Sequence, residues 1–233
     1  MDERQELGTA GHGPGLSGRR TLLLASSGLQ TVPLLRAMMP TMRGRALAFL
    51  PQASYADRYG VVSRLMRQCW QLAGFDVHVI DLVGGHAHRV RDELEACDAI
   101  YVCGGNSFYL MRCLRDSGVV PTIRAMVGRG VPYVGESAGA VVACRTIGYI
   151  APMDENVALP GHVHPRGLGL TAYRVVPHVS GAVLGDAART ILEWHADDPG
   201  FVGLRNDQVL VVRGASARVT TAPVLTPTAW QLP

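Results

Sequence analysis

Short unbroken apolar runs alternate with stretches whose apolar residues recur every three or four positions, and the alternation starts at Thr21. Thr21–Ala25, Ala46–Leu50, Val77–Leu82 and Ala99–Cys103 read as strands, and Asp57–Ala73 and Arg89–Glu95 as helices. Helical segments at Ser107–Asp116 and Pro121–Arg129, parted by Ser117-Gly118, lead into a strand at Val131–Val134. Beyond it, strands are expected at Ile147–Ile150, Thr171–Val176, Phe201–Arg205 and Val209–Val212, a helix at Ala182–His195, and a strand-like tail near Arg218–Thr221. Such an order predicts an α/β fold, a doubly wound and mostly parallel sheet flanked by helices. Residues 1–20 are rich in Gly, His, Pro and Ser and have no apolar period, which predicts a flexible N-terminal arm ahead of one domain spanning 21–233.

Composition narrows the function classes. At 233 residues, 48% hydrophobic and 18% charged, the chain can bury one substantial core. No apolar run approaches the roughly 18 residues of a membrane span, and the N-terminus lacks the pattern of a signal peptide. The expectation is a cytoplasmic protein with no membrane partner, either monomer or homodimer. All 22 basic residues are arginine. A chain without lysine has no lysine nucleophile, no Schiff-base former and no P-loop lysine. A net charge of +3 without a basic run gives no nucleic-acid footprint. The five cysteines (Cys69, Cys97, Cys103, Cys113 and Cys144) show no Cys-x-x-Cys spacing and read as buried thiols, so neither a disulfide framework nor a metal site is expected.

The chemistry concentrates at Val131-Pro-Tyr-Val-Gly-Glu-Ser-Ala-Gly-Ala140, where Ser137 sits in Gly-x-Ser-x-Gly between an apolar strand and an Ala-rich helix. This reads as a nucleophile elbow: a serine on a sharp strand-to-helix turn needs small neighbours, and the helix that follows aims its free N–H groups at the reacting atom. A serine also needs a base within hydrogen-bond reach. His178, in Val175-Val-Pro-His178 at a strand end, is the best candidate, with His162 and His164 as rivals in the preceding loop. A carboxylate to orient that base is expected downstream of the elbow, where Asp154 and Glu155 are adjacent; a polar turn is the bland alternative for that pair. The oxyanion hole would take the Ala138 N–H and, from the turn Cys103-Gly-Gly-Asn106, the Gly105 N–H, with Asn106 capping a helix or touching substrate.

Four blocks in this order resemble the peptidase E (aspartyl dipeptidase) and cyanophycinase group of serine peptidases, whose fold is related to class I glutamine amidotransferases. They are Tyr101-Val-Cys-Gly-Gly-Asn-Ser-Phe-Tyr-Leu-Met111, Tyr133-Val-Gly-Glu-Ser-Ala-Gly-Ala140, Met153-Asp-Glu155, and Gly167-Leu-Gly-Leu170 followed by Val176-Pro-His178. The resemblance covers Thr21 to Val212 and implies Ser137 as nucleophile, His178 as general base, Glu155 or Asp154 as the acid with a lean to Glu155, and Gly105 with Ala138 as oxyanion hole. It implies substrate contacts from Gly104 and Asn106, no cofactor and no metal. The substrate would be a short peptide or small amide, N-terminal aspartyl dipeptides among them. In that group an arginine reads the aspartate side chain within Gly-Glu-Thr-Arg after the histidine; here that pattern is missing. The nearest segment is Gly185-Asp-Ala-Ala-Arg-Thr190, which makes Arg189 the candidate reader and a helix-surface charge the competing reading. Rival functions on the same fold are an amide hydrolase or acyl transferase for a dedicated secondary metabolite, and a catalytically silent binding protein.

Overall fold

A computed structural model describes residues 5–7, 20–28, 31–38, 42, 44–55, 60–154 and 165–221. In chain order the elements are β1 (Gln5–Leu7), β2 (Thr21–Ala25), α1 (Thr31–Met38), β3 (Ala46–Leu50), α2 (Gly60–Leu72), β4 (Asp76–Val79), α3 (Ala87–Glu95), β5 (Ala99–Val102), α4 (Ser107–Asp116) and α5 (Val120–Gly128). They continue as β6 (Tyr133–Glu136), α6 (Ala138–Val142), β7 (Arg174–Val176), α7 (Gly185–Trp194), β8 (Phe201–Gly203), β9 (Gln208–Arg213) and β10 (Ser216–Thr221).

Eight strands form one sheet in the order β1-β10-β9-β2-β6-β5-β3-β4. The strands from β2 to β4 pair in parallel, while β9 joins β2 antiparallel and β10 and β1 extend that edge. This is the doubly wound, mostly parallel arrangement expected for a class I glutamine amidotransferase-like fold.

The unbroken apolar strands follow from burial on both faces. Leu22 and Leu24 of β2, Ala48 and Leu50 of β3, and Ile100 and Val102 of β5 enter one core layer, with α3 to α7 over it. Their alternates Leu23, Ala25, Leu47, Phe49, Ala99 and Tyr101 enter the other, under α1 and α2. On α2, Ser63, Met66, Cys69 and Trp70 are buried at the helical period, and Trp70 meets Phe75 and Tyr101 edge-on with ring centroids 5.0 and 5.1 Å apart.

Three expectations change. Ile147–Ile150 is not a strand but a 3₁₀ turn at Gly148–Ile150. Ile147, which caps the turn, and Ile150 within it are both buried and three apart, which is the period of that turn and not of a strand. The strand expected from Thr171 starts at Arg174 and pairs with β8 in a separate two-stranded sheet. Within the segment ahead of Thr21, Gln5–Leu7 pairs antiparallel with Ala217–Val219 of β10, a contact made by backbone groups at a sheet edge and therefore silent in the apolar pattern. Helix α1 was not anticipated; Pro33 lies in its first turn, where a missing N–H costs nothing.

Candidate active site

Strand β6 runs between β2 and β5, so its carboxyl end opens at the middle of the sheet. There Ser137 turns the chain into α6 with φ +48° and ψ −108°, a conformation that a residue with a Cβ rarely adopts. The turn is held from both sides: Ser137 N–H donates to the Ala25 carbonyl at 2.8 Å, and Tyr133 Oη donates to the Gly139 carbonyl at 2.7 Å. Gly139 has no room for a side chain, since a Cβ there would stand 2.2 Å from the Val102 carbonyl oxygen. Ala138 is the first residue of α6, and its N–H has no intrahelical acceptor.

His178 reaches the same edge from β7 through Pro177 and is also left-handed, with φ +65°. Its Nε2 lies 2.8 Å from Ser137 Oγ. Its Nδ1 lies 2.9 Å from Asn206 Oδ1 and 3.2 Å from Ser26 Oγ. Ser26 follows β2 directly, accepts the His178 backbone N–H at 2.8 Å and donates to Asn206 Oδ1 at 3.0 Å. Asn206 sits in the turn between β8 and β9.

A cleft of about 520 Å³ opens onto this pair, lined among others by Gly104, Gly105, Asn106, Glu136, Ser137, Ala138, Asp154 and His178. Gly105 has φ +135°, and a Cβ there would meet the Ala53 carbonyl oxygen at 2.1 Å, so only glycine brings this turn against the cleft. Asn106 caps α4, its Oδ1 accepting the Tyr109 N–H at 2.9 Å. Asp154 Oδ2 accepts the Ser107 N–H at 2.7 Å, at the same helix start. The expected Asp154–histidine pairing is therefore replaced: this carboxylate is drawn to the free N–H groups and positive dipole end of α4, and Nδ1 of His178 takes Asn206 and Ser26. Glu155, His162 and His164 lie outside the described residues.

Arg189 is on the exposed side of α7, paired with Asp186 and donating to the Val179 carbonyl, and it does not line the cleft. Glu136, beside Ser137, accepts the Tyr101 hydroxyl at 2.5 Å. Burial first, and the Glu136 charge second, push the Tyr101 hydroxyl well above its ordinary pKa, so it stays a donor. The same two causes hold the Cys103 thiol well above its usual range, which makes it a poor nucleophile despite its place in the lining. Among the described residues no group of three or more His, Cys, Asp and Glu could hold a metal. Ser26, Asn206 and Glu136 are the site residues that sequence reasoning missed. A serine immediately after the first apolar strand of a parallel sheet is a readable signal for Ser26; Asn206 in a polar turn carries none.

The family model for peptidase family S51 matches residues 22–220. The chain belongs to peptidase family S51. Its relatives include an uncharacterised peptidase of Listeria monocytogenes, 26% identical over 195 residues covering 84% of this chain and 95% of that protein. Peptidase E of a Nostoc species is 29% identical over 182 residues (75% and 72% of the two chains), and peptidase E of Haemophilus influenzae 29% over 175 residues (72% and 77%). In fold, a crystal structure of a Listeria monocytogenes EGD-e protein provisionally assigned to peptidase E superposes with a TM-score of 0.82 at 24% identity, covering 88% of this chain and 99% of the other. A peptidase from an acI-B1 actinobacterium gives a TM-score of 0.64 at 21% identity, over 88% and 89%. The resemblance to peptidase E is thus a family relationship, and this S51 member is a peptidase. None of its helices among the described residues is long and apolar enough to cross a membrane.

Proposed function

We propose that this S51 peptidase is a cytoplasmic serine hydrolase that cleaves short peptides through an acyl-enzyme on Ser137. The observation that carries the reading is the 2.8 Å contact between Ser137 Oγ and His178 Nε2 beside the N-terminus of α6. In the first half-reaction Ser137 Oγ bonds to the scissile carbonyl carbon while its proton passes to Nε2, and the carbonyl electron pair moves onto oxygen. The Ala138 N–H, with Gly105 across the cleft, receives that oxyanion. Collapse breaks the C–N bond as the imidazolium returns its proton to the leaving amine. Water, deprotonated by His178, then releases the acid and restores Ser137.

The charges lining the cleft among the described residues bear on the substrate. Glu136 and Asp154 are carboxylates, and Arg189 is engaged on the surface, so the aspartate reader implied by the resemblance lacks support. A cleft lined this way favours the free ammonium end of a peptide over an acidic side chain.

The experiment is a panel of dipeptides with N-terminal Asp, Lys and Ala, free and N-acetylated, incubated with the wild type and Ser137→Ala. Release should fall by about 10⁴-fold or more in Ser137→Ala, because the nucleophile and its base act as a unit. The free Lys and Ala peptides should outpace the Asp peptide and all acetylated forms. Comparable turnover by Ser137→Ala would sink the mechanism, and cleavage confined to the Asp peptide would sink the charge argument.

A further inference from the structure

The serine-to-histidine relay requires the Nε2 lone pair to face Ser137, so the imidazole proton must reside on Nδ1 and needs an acceptor there. That position is occupied by Asn206 Oδ1 at 2.9 Å and Ser26 Oγ at 3.2 Å. We propose that Asn206, oriented by Ser26, positions His178, and that an uncharged amide oxygen rather than a carboxylate stands behind the imidazole.

An amide can present either end, and only its oxygen suits an Nδ1 proton. Ser26 decides which. Its oxygen already accepts the His178 backbone N–H at 2.8 Å, and its own proton is directed to Asn206 Oδ1 at 3.0 Å, which turns the oxygen end toward the ring. The same contact to the backbone N–H pins His178 in its left-handed conformation. Ser26 is buried, and its neighbour Ala25 supplies the carbonyl that holds the Ser137 N–H. Two consecutive residues at the end of β2 thus tie down both halves of the Ser137–His178 pair. Asn206 is brought to them because β9, which follows it, pairs with β2. A carbonyl dipole orients the ring but stabilises an imidazolium less than a full negative charge does.

The inference rests on the serine-hydrolase reading, and its test needs no natural substrate. The probe is a neutral fluorophosphonate, which forms a P–O bond to Ser137 Oγ as fluoride leaves and the hydroxyl proton passes to His178. Labelling rates are followed against pH for the wild type, Asn206→Ala, Asn206→Asp, Ser26→Ala and Glu155→Gln. Asn206→Ala should be slower by thirtyfold or more and Ser26→Ala by about tenfold. Asn206→Asp, which keeps the side-chain volume, should label well above neutrality with its acid limb moved up by about one pH unit or more, because a carboxylate beside the ring favours the imidazolium. Glu155→Gln should lose less than Asn206→Ala. A larger loss in Glu155→Gln than in Asn206→Ala, or an acid limb unmoved in Asn206→Asp, would overturn the assignment while leaving the hydrolase reading intact. Failure of wild-type Ser137 to label at all would overturn both.

Discussion

Ser137 and His178 both hold positive φ, and each such residue costs of order 1–3 kcal/mol unless its surroundings fix it. At Ser137 the fixing groups are the Ala25 carbonyl, the Ala140 and Val141 N–H groups on its own carbonyl at 2.9 and 3.0 Å, and the close approach of Gly139 to Val102. Gly139→Ala forces a Cβ to within 2.2 Å of a backbone oxygen that sits in the middle of the sheet and cannot yield cheaply. It should lose roughly 3 kcal/mol or more in urea unfolding; an unchanged midpoint would mean the turn has slack that the geometry denies. Tyr101 makes a second single-residue test. Its buried hydroxyl meets the Glu136 carboxylate at 2.5 Å, so Tyr101→Phe removes a donor from a partly buried charge without altering the packing against Trp70. A loss of about 1–3 kcal/mol follows, seen as a melting temperature lowered by several degrees for a chain of this size.

At the scale of elements, the strands were legible because a parallel sheet buried on both faces leaves an unbroken apolar run, and Ala46–Leu50 stands where the run predicts it. The elbow was legible for a related reason, since strand, small residues and helix are contiguous in Tyr133–Val142. What escaped was placement that depends on distant partners. Asn206 joins the site across 28 residues from His178, and Ser26 across 152, through pairings no local pattern records. Asp154 shows the converse: its type and position after the elbow suggested an acid for the histidine, yet the start of α4 competes for it and takes its Oδ2. A carboxylate at the first free N–H groups of a helix is favoured by both hydrogen bond and dipole. Asp154→Ala should therefore destabilise the protein by about 1 kcal/mol, measured by urea unfolding, and should leave the position of the acid limb in fluorophosphonate labelling where it was. A moved limb would return Asp154 to the histidine.

For the whole molecule, the absence of lysine has a consequence in alkaline solution. Arginine keeps its charge well past the range in which lysine would lose it, so between pH 8.5 and 11 the side chains that can titrate are mainly thiols and phenols. All five thiols are free and buried, and each is held above its ordinary value, with desolvation the first cause in every case. Cys97 is pushed from 9.0 to about 11, by burial and then by the charges of Asp98, Asp76 and Glu93. The buried hydroxyls of Tyr101, Tyr133 and Tyr149 are raised well above 10.0 for the same leading reason. A raised folded-state value contributes stability that is complete below the unfolded value and disappears as pH climbs through the folded one. Unfolded chains therefore release protons that the native protein retains, starting near pH 9, and stability must fall as pH rises. For Cys97 that loss falls across the window from 9.0 to about 11, its side chain being taken out of water and set beside Asp98, Asp76 and Glu93. Urea midpoints measured from pH 8 to 10.5 should decline steadily, and Cys97→Ala should flatten part of that decline even if it lowers stability at pH 8. Midpoints that stay level to pH 10.5 would mean the thiols already ionise in the native state, and that the core is wetter around Cys97 than its burial implies.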